Sequence, residues 1–140
     1  MASRALIDTG VLLAHVNLSD RRHTACSAAI AQAPMPLVTT VAVITELFYF
    51  AIKTPRLLAP AWRMVSAGWI TLAPITDADL PALETLMIRY ADRPMDFADA
   101  TLVHVAGRES IRTILTIDHA DFETYRFGRN RVFDIYPRRA

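Results

Sequence analysis

Five acidic residues, Asp8, Glu46, Asp96, Asp99 and Asp118, stand inside or at the end of segments that otherwise read as buried. Asp8 closes the apolar run Ala5-Leu6-Ile7, and Asp118 follows Thr113-Ile114-Leu115-Thr116-Ile117. Glu46 is the only charged residue between Thr40 and Ile52. Taking an unpaired carboxylate out of water is costly, so buried acids are neutralised by a base, a proton or a metal ion. No lysine or arginine shares these runs, which makes a common divalent cation the economical neutraliser. A set built almost wholly of carboxylates favours hard ions, Mg²⁺ or Mn²⁺, over zinc. The histidines His15, His23, His104 and His119 show no paired zinc spacing. Hard ions bind phosphate oxygens and activate water, so the implied chemistry is phosphodiester hydrolysis.

Taken singly, each acid also has an ordinary explanation. Asp8 opens Asp-Thr-Gly, which is good turn and capping chemistry. Asp96 suits the N-cap of the helix that follows it. Asp99 shares a helical stripe with Leu102, Val103 and Ala106, which turns its carboxylate inward near a helix N-terminus, where the dipole favours an anion. Glu46 has the alternative of a narrow polar face with Thr45 and Tyr49. Asp118 and Asp121 flank His119-Ala120, and spacing does not choose between them as ligand and cap. Their joint placement carries the argument.

The elements that must position these acids alternate between short β-like runs and longer helical ones. Strands are expected at residues 5–7, 37–39, 69–73, 113–117 and 131–135. Helical segments are expected from 11–16, from 21–32 with Ser19 and Asp20 as caps, and from Thr40 to about Lys53. Others cover 56–67, 77–91 and 96–108, with Gly68 and Gly107 near their ends. Strands separated by helices imply βαβ units, hence α/β architecture with a parallel sheet of about five strands covered on both faces. Ligands in such sheets gather beyond the C-terminal strand ends, where Asp8 and Asp118 fall.

The chain of 140 residues fits one domain with a full core, and its 53% apolar content excludes a disordered chain. A formal net charge of +1 gives no global field for nucleic acid or membrane. One cysteine, Cys26, excludes an internal disulfide and a multi-cysteine zinc site, and reads as a core filler. No signal peptide and no apolar run of membrane-spanning length is visible, so a soluble, cytoplasmic protein is expected. Fourteen arginines stand against the single Lys53, a bias that suits phosphate contacts but is explained first by a GC-rich genome.

Four segments in order resemble the PIN domain, and more narrowly the VapC-type toxin ribonucleases. They are Leu6-Ile7-Asp8-Thr9-Gly10, Thr45-Glu46, Met95-Asp96-Phe97-Ala98-Asp99-Ala100, and Leu115-Thr116-Ile117-Asp118-His119-Ala120-Asp121-Phe122. The resemblance spans nearly the whole chain. It implies a three-layer α/β/α sandwich and Mg²⁺- or Mn²⁺-dependent endoribonuclease activity. Asp8, Glu46, Asp99 and Asp118 match the family's four acids, Asp96 and Asp121 its accessory acids, and Thr9 and Thr116 the hydroxyl positions beside the first and last acids. It further implies a toxin–antitoxin pairing, a homodimer and a small inhibitory antitoxin protein.

On this reading Asp8, Asp99 and Asp118 hold one ion, with Glu46 and Asp96 aiding it or a second. Cleavage is expected to leave a 5′-phosphate and a 3′-hydroxyl. Arginines near the C-terminus, Arg126, Arg129, Arg131, Arg138 and Arg139, are expected to grip RNA, with a solvated tail as the alternative. Three rivals compete with this assignment. Ile7-Asp8-Thr9-Gly10 and Phe127-Gly128-Arg129-Asn130 resemble aspartic-protease signatures, but that fold is all-β and the middle of this chain is helical. A phospho-receiver needs a lysine after a late strand, and Lys53 comes too early. A non-catalytic module that binds RNA or a partner on the same fold stays open.

Overall fold

The computed structural model describes residues 3–139. Strand β1 (Ala5–Ile7) leads into helix α1 (Thr9–Val16), then α2 (His23–Gln32), β2 (Leu37–Thr39) and α3 (Val41–Ala51). A 3-10 turn at Pro55–Leu57 precedes α4 (Leu58–Ser66) and β3 (Ile70–Leu72). A second such turn, Asp77–Asp79, precedes α5 (Leu80–Arg89) and the longest helix, α6 (Phe97–Glu109). The chain ends with β4 (Thr113–Leu115), α7 (His119–Thr124), β5 (Arg126–Phe127), β6 (Arg131–Val132) and β7 (Asp134–Tyr136).

Five strands form one sheet in the order β3-β2-β1-β4-β7, and every pairing is parallel. Helices cover both faces, giving the α/β/α sandwich expected from the alternation of elements. Burial follows topology: β1 and β2 are buried at every position, whereas the edge strand β3 is largely exposed. Central parallel strands covered on both faces read as unbroken apolar runs, which is why Ala5-Leu6-Ile7 is a strand despite its brevity. Cys26 is a buried free thiol in the core, as expected. Among the described residues, no helix is long and apolar enough to cross a membrane.

Three expectations are corrected. The segment 131–135 is two strands: Arg131 and Val132 pair antiparallel with β5, and only from Asp134 does the chain join the parallel sheet. The cause is the turn between β5 and β6, where Gly128 and Asn130 adopt φ of 54° and 61° and reverse the chain. Helix α2 starts at His23 and has no side-chain cap; the Asp20 carboxylate instead accepts from the Arg22 N–H at 2.8 Å in the preceding turn. The segment 77–91 begins as a 3-10 turn closed by a Thr76–Asp79 capping box, and Asp79 also accepts from His104 at 2.8 Å. That contact ties the start of α5 to α6.

Tight packing places the first acid. A Cβ on Gly10 would lie 2.7 Å from Ile117 Cγ1, so glycine lets the chain after β4 close over the start of α1. The α6 helix is anchored at its far end, where a Cβ on Gly107 would lie 2.9 Å from the Gly128 backbone nitrogen. Gly107 therefore belongs to a helix–hairpin contact and is not the helix terminator; Ser110 takes that left-handed position, with φ of 55°.

Candidate active site

The C-terminal ends of β1 and β4 lie side by side, with the Asp8 N–H donating to the Leu115 carbonyl at 2.9 Å. Asp8 follows β1 directly and is only 4% exposed. One of its oxygens accepts from the Thr9 N–H at 2.8 Å, capping α1, and the other accepts from the Thr116 hydroxyl at 2.9 Å. Thr116 in turn accepts from the Asp118 N–H at 3.0 Å, so a single hydroxyl sets both strand-end acids. Capping and site membership are thus compatible in Asp8.

Across the site, the Thr9 hydroxyl donates to Glu46 Oε1 at 2.8 Å. Glu46 projects from α3, which Thr40 caps and which a 2.8 Å hydroxyl contact between Thr40 and Thr101 joins to α6. On α6, Asp96 is the N-cap and accepts from the Asp99 N–H at 2.8 Å. Asp99, one turn later, is 8% exposed. Its Oδ2 accepts from the hydroxyl of Tyr125 at 3.2 Å, and Tyr125 is fully buried against Tyr90 and Phe122. Sequence reading missed Tyr125: it lies on no acid motif, and nothing in its spacing announces a partner in α6.

The electrostatics follow from burial. Desolvation, opposed by the Thr9 and Thr116 hydrogen bonds and reinforced by the charges of Asp118 and Glu46, raises Asp8 from 3.8 to about 7. Desolvation, then Asp8 and Asp96, raise Asp99 to about 8. Glu46 is raised by desolvation, against the Thr9 hydrogen bond, and by Asp96 and Asp118. Asp118 is exposed as a residue, yet desolvation of its carboxyl and the neighbouring Asp121 and Asp96 raise it too. Asp8, Glu46, Asp99 and Asp118 therefore share one electrostatic neighbourhood, with Asp96 at its edge. Asp121 sits to one side, 3.0 Å from the Arg93 guanidinium.

Oxygen donors of this type and charge suit a hard divalent ion. Among the described residues, however, no three His, Cys, Asp or Glu side chains converge on a geometry that would hold a metal ion. The fit is one of donor chemistry, in buried carboxyls that burial and mutual repulsion hold toward the protonated form; the carboxylates are not drawn together around a common point.

The C-terminal arginines divide. Arg126 folds back to donate to the carbonyls of Glu123 and Thr124 at 2.8 and 3.0 Å, fastening the end of α7. Arg138 pairs with Asp134 at 2.9 Å and Arg139 with Glu123. Arg131 lies over the Phe127 ring, and exposed Arg129 sits in the hairpin turn. Arg139 also lines a pocket with Asp118 and Asp121. Two arginines outside this segment also act on the acids: Arg93 beside Asp121, and Arg22, whose charge lowers Asp118. Sequence reading missed both, although Arg93 stands three residues before Asp96.

The model of the PIN domain family matches residues 5–128. The chain belongs to the PIN domain family. Ribonuclease VapC26 of Mycobacterium tuberculosis is 31% identical over 136 residues, which cover 94% of this chain and 99% of that protein. Among solved structures, the VapC20 toxin of Mycobacterium tuberculosis, described as cleaving the sarcin–ricin loop, superposes with a TM-score of 0.74. It shares 20% identity over 82% of this chain and 90% of its own, a likeness of fold. The PIN sheet explains why acids far apart in sequence share one neighbourhood: Asp8 and Asp118 lie past the ends of adjacent strands, while Glu46 and Asp99 come from helices α3 and α6.

Proposed function

We propose that this PIN domain is an endoribonuclease that hydrolyses RNA phosphodiester bonds with Mg²⁺ or Mn²⁺. Asp8, Asp99 and Asp118 would hold the ion, with Glu46 and Asp96 beside them and Asp121 as an accessory acid. The observation that carries the reading is the burial of Asp8 and Asp99 together, each raised first by desolvation and then by its acidic neighbours, with no salt bridge to either among the described residues. When bound, the ion supplies positive charge against the phosphate and lowers the pKa of nearby water.

The chain's own residues do the positioning. Thr116 orients Asp8 and the backbone of Asp118 through one hydroxyl, and Thr9 holds Glu46 toward the same space. Tyr125 fixes the Asp99 carboxylate by a hydrogen bond that leaves its other oxygen to the site. Arg22, paired with Asp20, and Arg93, paired with Asp121, would supply cations for phosphates flanking the scissile bond, together with exposed Arg129 and Arg131. The expected products carry a 5′-phosphate and a 3′-hydroxyl, because water and not the RNA 2′-hydroxyl is the nucleophile.

The VapC relatives support a further reading: a cytoplasmic toxin of a toxin–antitoxin pair, active as a homodimer and silenced by a small antitoxin protein. A non-catalytic module that binds RNA or a partner on the same fold is the second reading. Purified protein and Asp99→Asn, compared on structured RNAs with Mg²⁺, Mn²⁺ or EDTA and with product ends mapped, decide between them. Metal-dependent cutting lost in Asp99→Asn supports the nuclease. Retention of RNA without cutting supports the binding module, and a 2′,3′-cyclic phosphate product refutes the mechanism.

A further inference from the structure

A cavity of about 800 Å³ opens beside the acids, and Glu46 and Asp96 form part of its lining. Its other walls, from α3, the chain at and after β3, and the start of α6, are mostly apolar; the Thr45 and Thr101 hydroxyls among them donate to the Val41 and Ala98 carbonyls at 2.8 and 2.7 Å. Val41, Leu72 and Phe97 line it while remaining 62%, 47% and 45% exposed. The size is that of a small-molecule site, and so is the make-up, apolar walls with few polar groups.

The chemistry of the walls selects the occupant. Among the described residues that line the cavity none is basic, and two are carboxylates. A phosphate group is repelled there. A neutral, flat group with apolar faces is not, and the part of a nucleotide with that character is its base. Phe97 follows Asp96 in the chain, so a stacking surface lies immediately beside the acid cluster. Bases splayed out of single-stranded RNA bind proteins by stacking on aromatic rings and by hydrogen bonds from their edges. Carboxyl oxygens accept hydrogen bonds, so Glu46 and Asp96 favour bases that present amino groups.

We propose that this cavity seats an unstacked nucleobase next to the phosphodiester that is cut, with the Phe97 ring as its stacking face and Glu46 and Asp96 favouring amino-bearing bases over uracil. The proposal rests on the ribonuclease reading for its place in the reaction and on the cavity alone for its ligand. It gives cleavage a local sequence preference read at one base, set by α3 and the edge strand and independent of the phosphate contacts.

The test uses the full chain, labelled at its methyl groups and kept in EDTA so that no RNA is cut, titrated with adenosine, guanosine, cytidine and uridine in separate series. The expected result is saturable shifts of the Val41, Leu72 and Ile75 methyl resonances, with uridine the weakest ligand. Stacking is worth about 1–3 kcal/mol per base, so Phe97→Ala should weaken the response roughly 5- to 150-fold. Leu72→Trp, which fills the cavity from an exposed edge position, should abolish it while the fold is retained. Shifts that appear with protein concentration alone would show that a second copy covers the groove, and would overturn the proposal. Equal binding of uridine would overturn the role of the carboxylates. If RNA is cut but no nucleoside reaches these methyls, the base seat falls and the nuclease stands. If nucleosides bind there and no RNA is cut, the ribonuclease reading falls and the seat survives as a nucleobase site.

Discussion

Replacing Asp99 with asparagine should make the metal-free protein more stable at neutral and alkaline pH. Asp99 is 8% exposed and its carboxyl is raised from 3.8 to about 8. Between those two values the folded state holds a proton that the unfolded chain has released. Stability therefore falls as pH rises through that window, and is fully present below about pH 4. About four pH units at about 1.4 kcal/mol each set a ceiling of about 6 kcal/mol. Asp8, raised to about 7, shares the same repulsion, so the two titrate as a pair and removing one charge recovers only part of the ceiling. About 2–3 kcal/mol at pH 8, vanishing near pH 4, is the expected gain. Asparagine keeps the shape of the side chain and an oxygen to accept the Tyr125 hydroxyl, so little is lost by the exchange. Urea unfolding in EDTA at pH 4 and pH 8 measures it, and a thermal shift of roughly 3–5 °C per kcal/mol is an independent check. Adding Mg²⁺ should stabilise the parent at pH 8 and leave the variant nearly unchanged. A variant less stable than the parent at pH 8, by the margin seen at pH 4, would show that Asp8 and Asp99 do not burden the fold with charge.

Tyr125→Phe removes one hydroxyl from behind Asp99. Metal affinity by calorimetry should fall roughly tenfold, with stability changed by only about 1 kcal/mol; unaltered affinity would mean that Asp99 is held by packing alone. Gly107→Ala drives a Cβ to 2.9 Å from the Gly128 nitrogen and should cost about 1–3 kcal/mol in denaturant unfolding. A neutral result there would show that the hairpin yields without cost. Neutralising Arg22 and Arg93 together should weaken binding of single-stranded RNA and flatten its dependence on log salt by about 0.7 for each phosphate no longer neutralised. Arg126→Ala should instead loosen the end of α7, and an equal change in salt slope for Arg126 would reverse that assignment.

Strands were legible where an apolar run met an abrupt stop. Ala5-Leu6-Ile7 ends at Asp8, and Leu37-Val38-Thr39 is bracketed by Pro36 and the capping Thr40; both lie where the sequence pattern puts them. The Asp96–Asp99 spacing was legible for a similar reason, since a cap and an inward acid one turn later leave a periodic trace. The hairpin was not, although Gly128 and Asn130 are turn residues, because Phe133, Ile135 and their neighbours alternate as a continuous strand would. Tyr125, Arg22 and Arg93 were invisible for a deeper reason. Their placement depends on tertiary approach, across 26 residues for Tyr125 and Asp99, and no local period encodes it. The orientation of Glu46 is legible only in the fold, through the Thr9 hydroxyl on a different helix.

The hydrogen bond from Thr116 to Asp8 joins residues 108 positions apart. Everything from β1 to α6 emerges from the ribosome before the strand that supplies Thr116 and Asp118 has been made. A nascent chain therefore displays Asp8, Glu46 and Asp99 without the segment that organises them, and contacts of such long range form late. The carboxylate cluster is a product of finished synthesis. A protease that removes the chain from β4 onward would take Thr116 and Asp118 together with two strands of the central sheet.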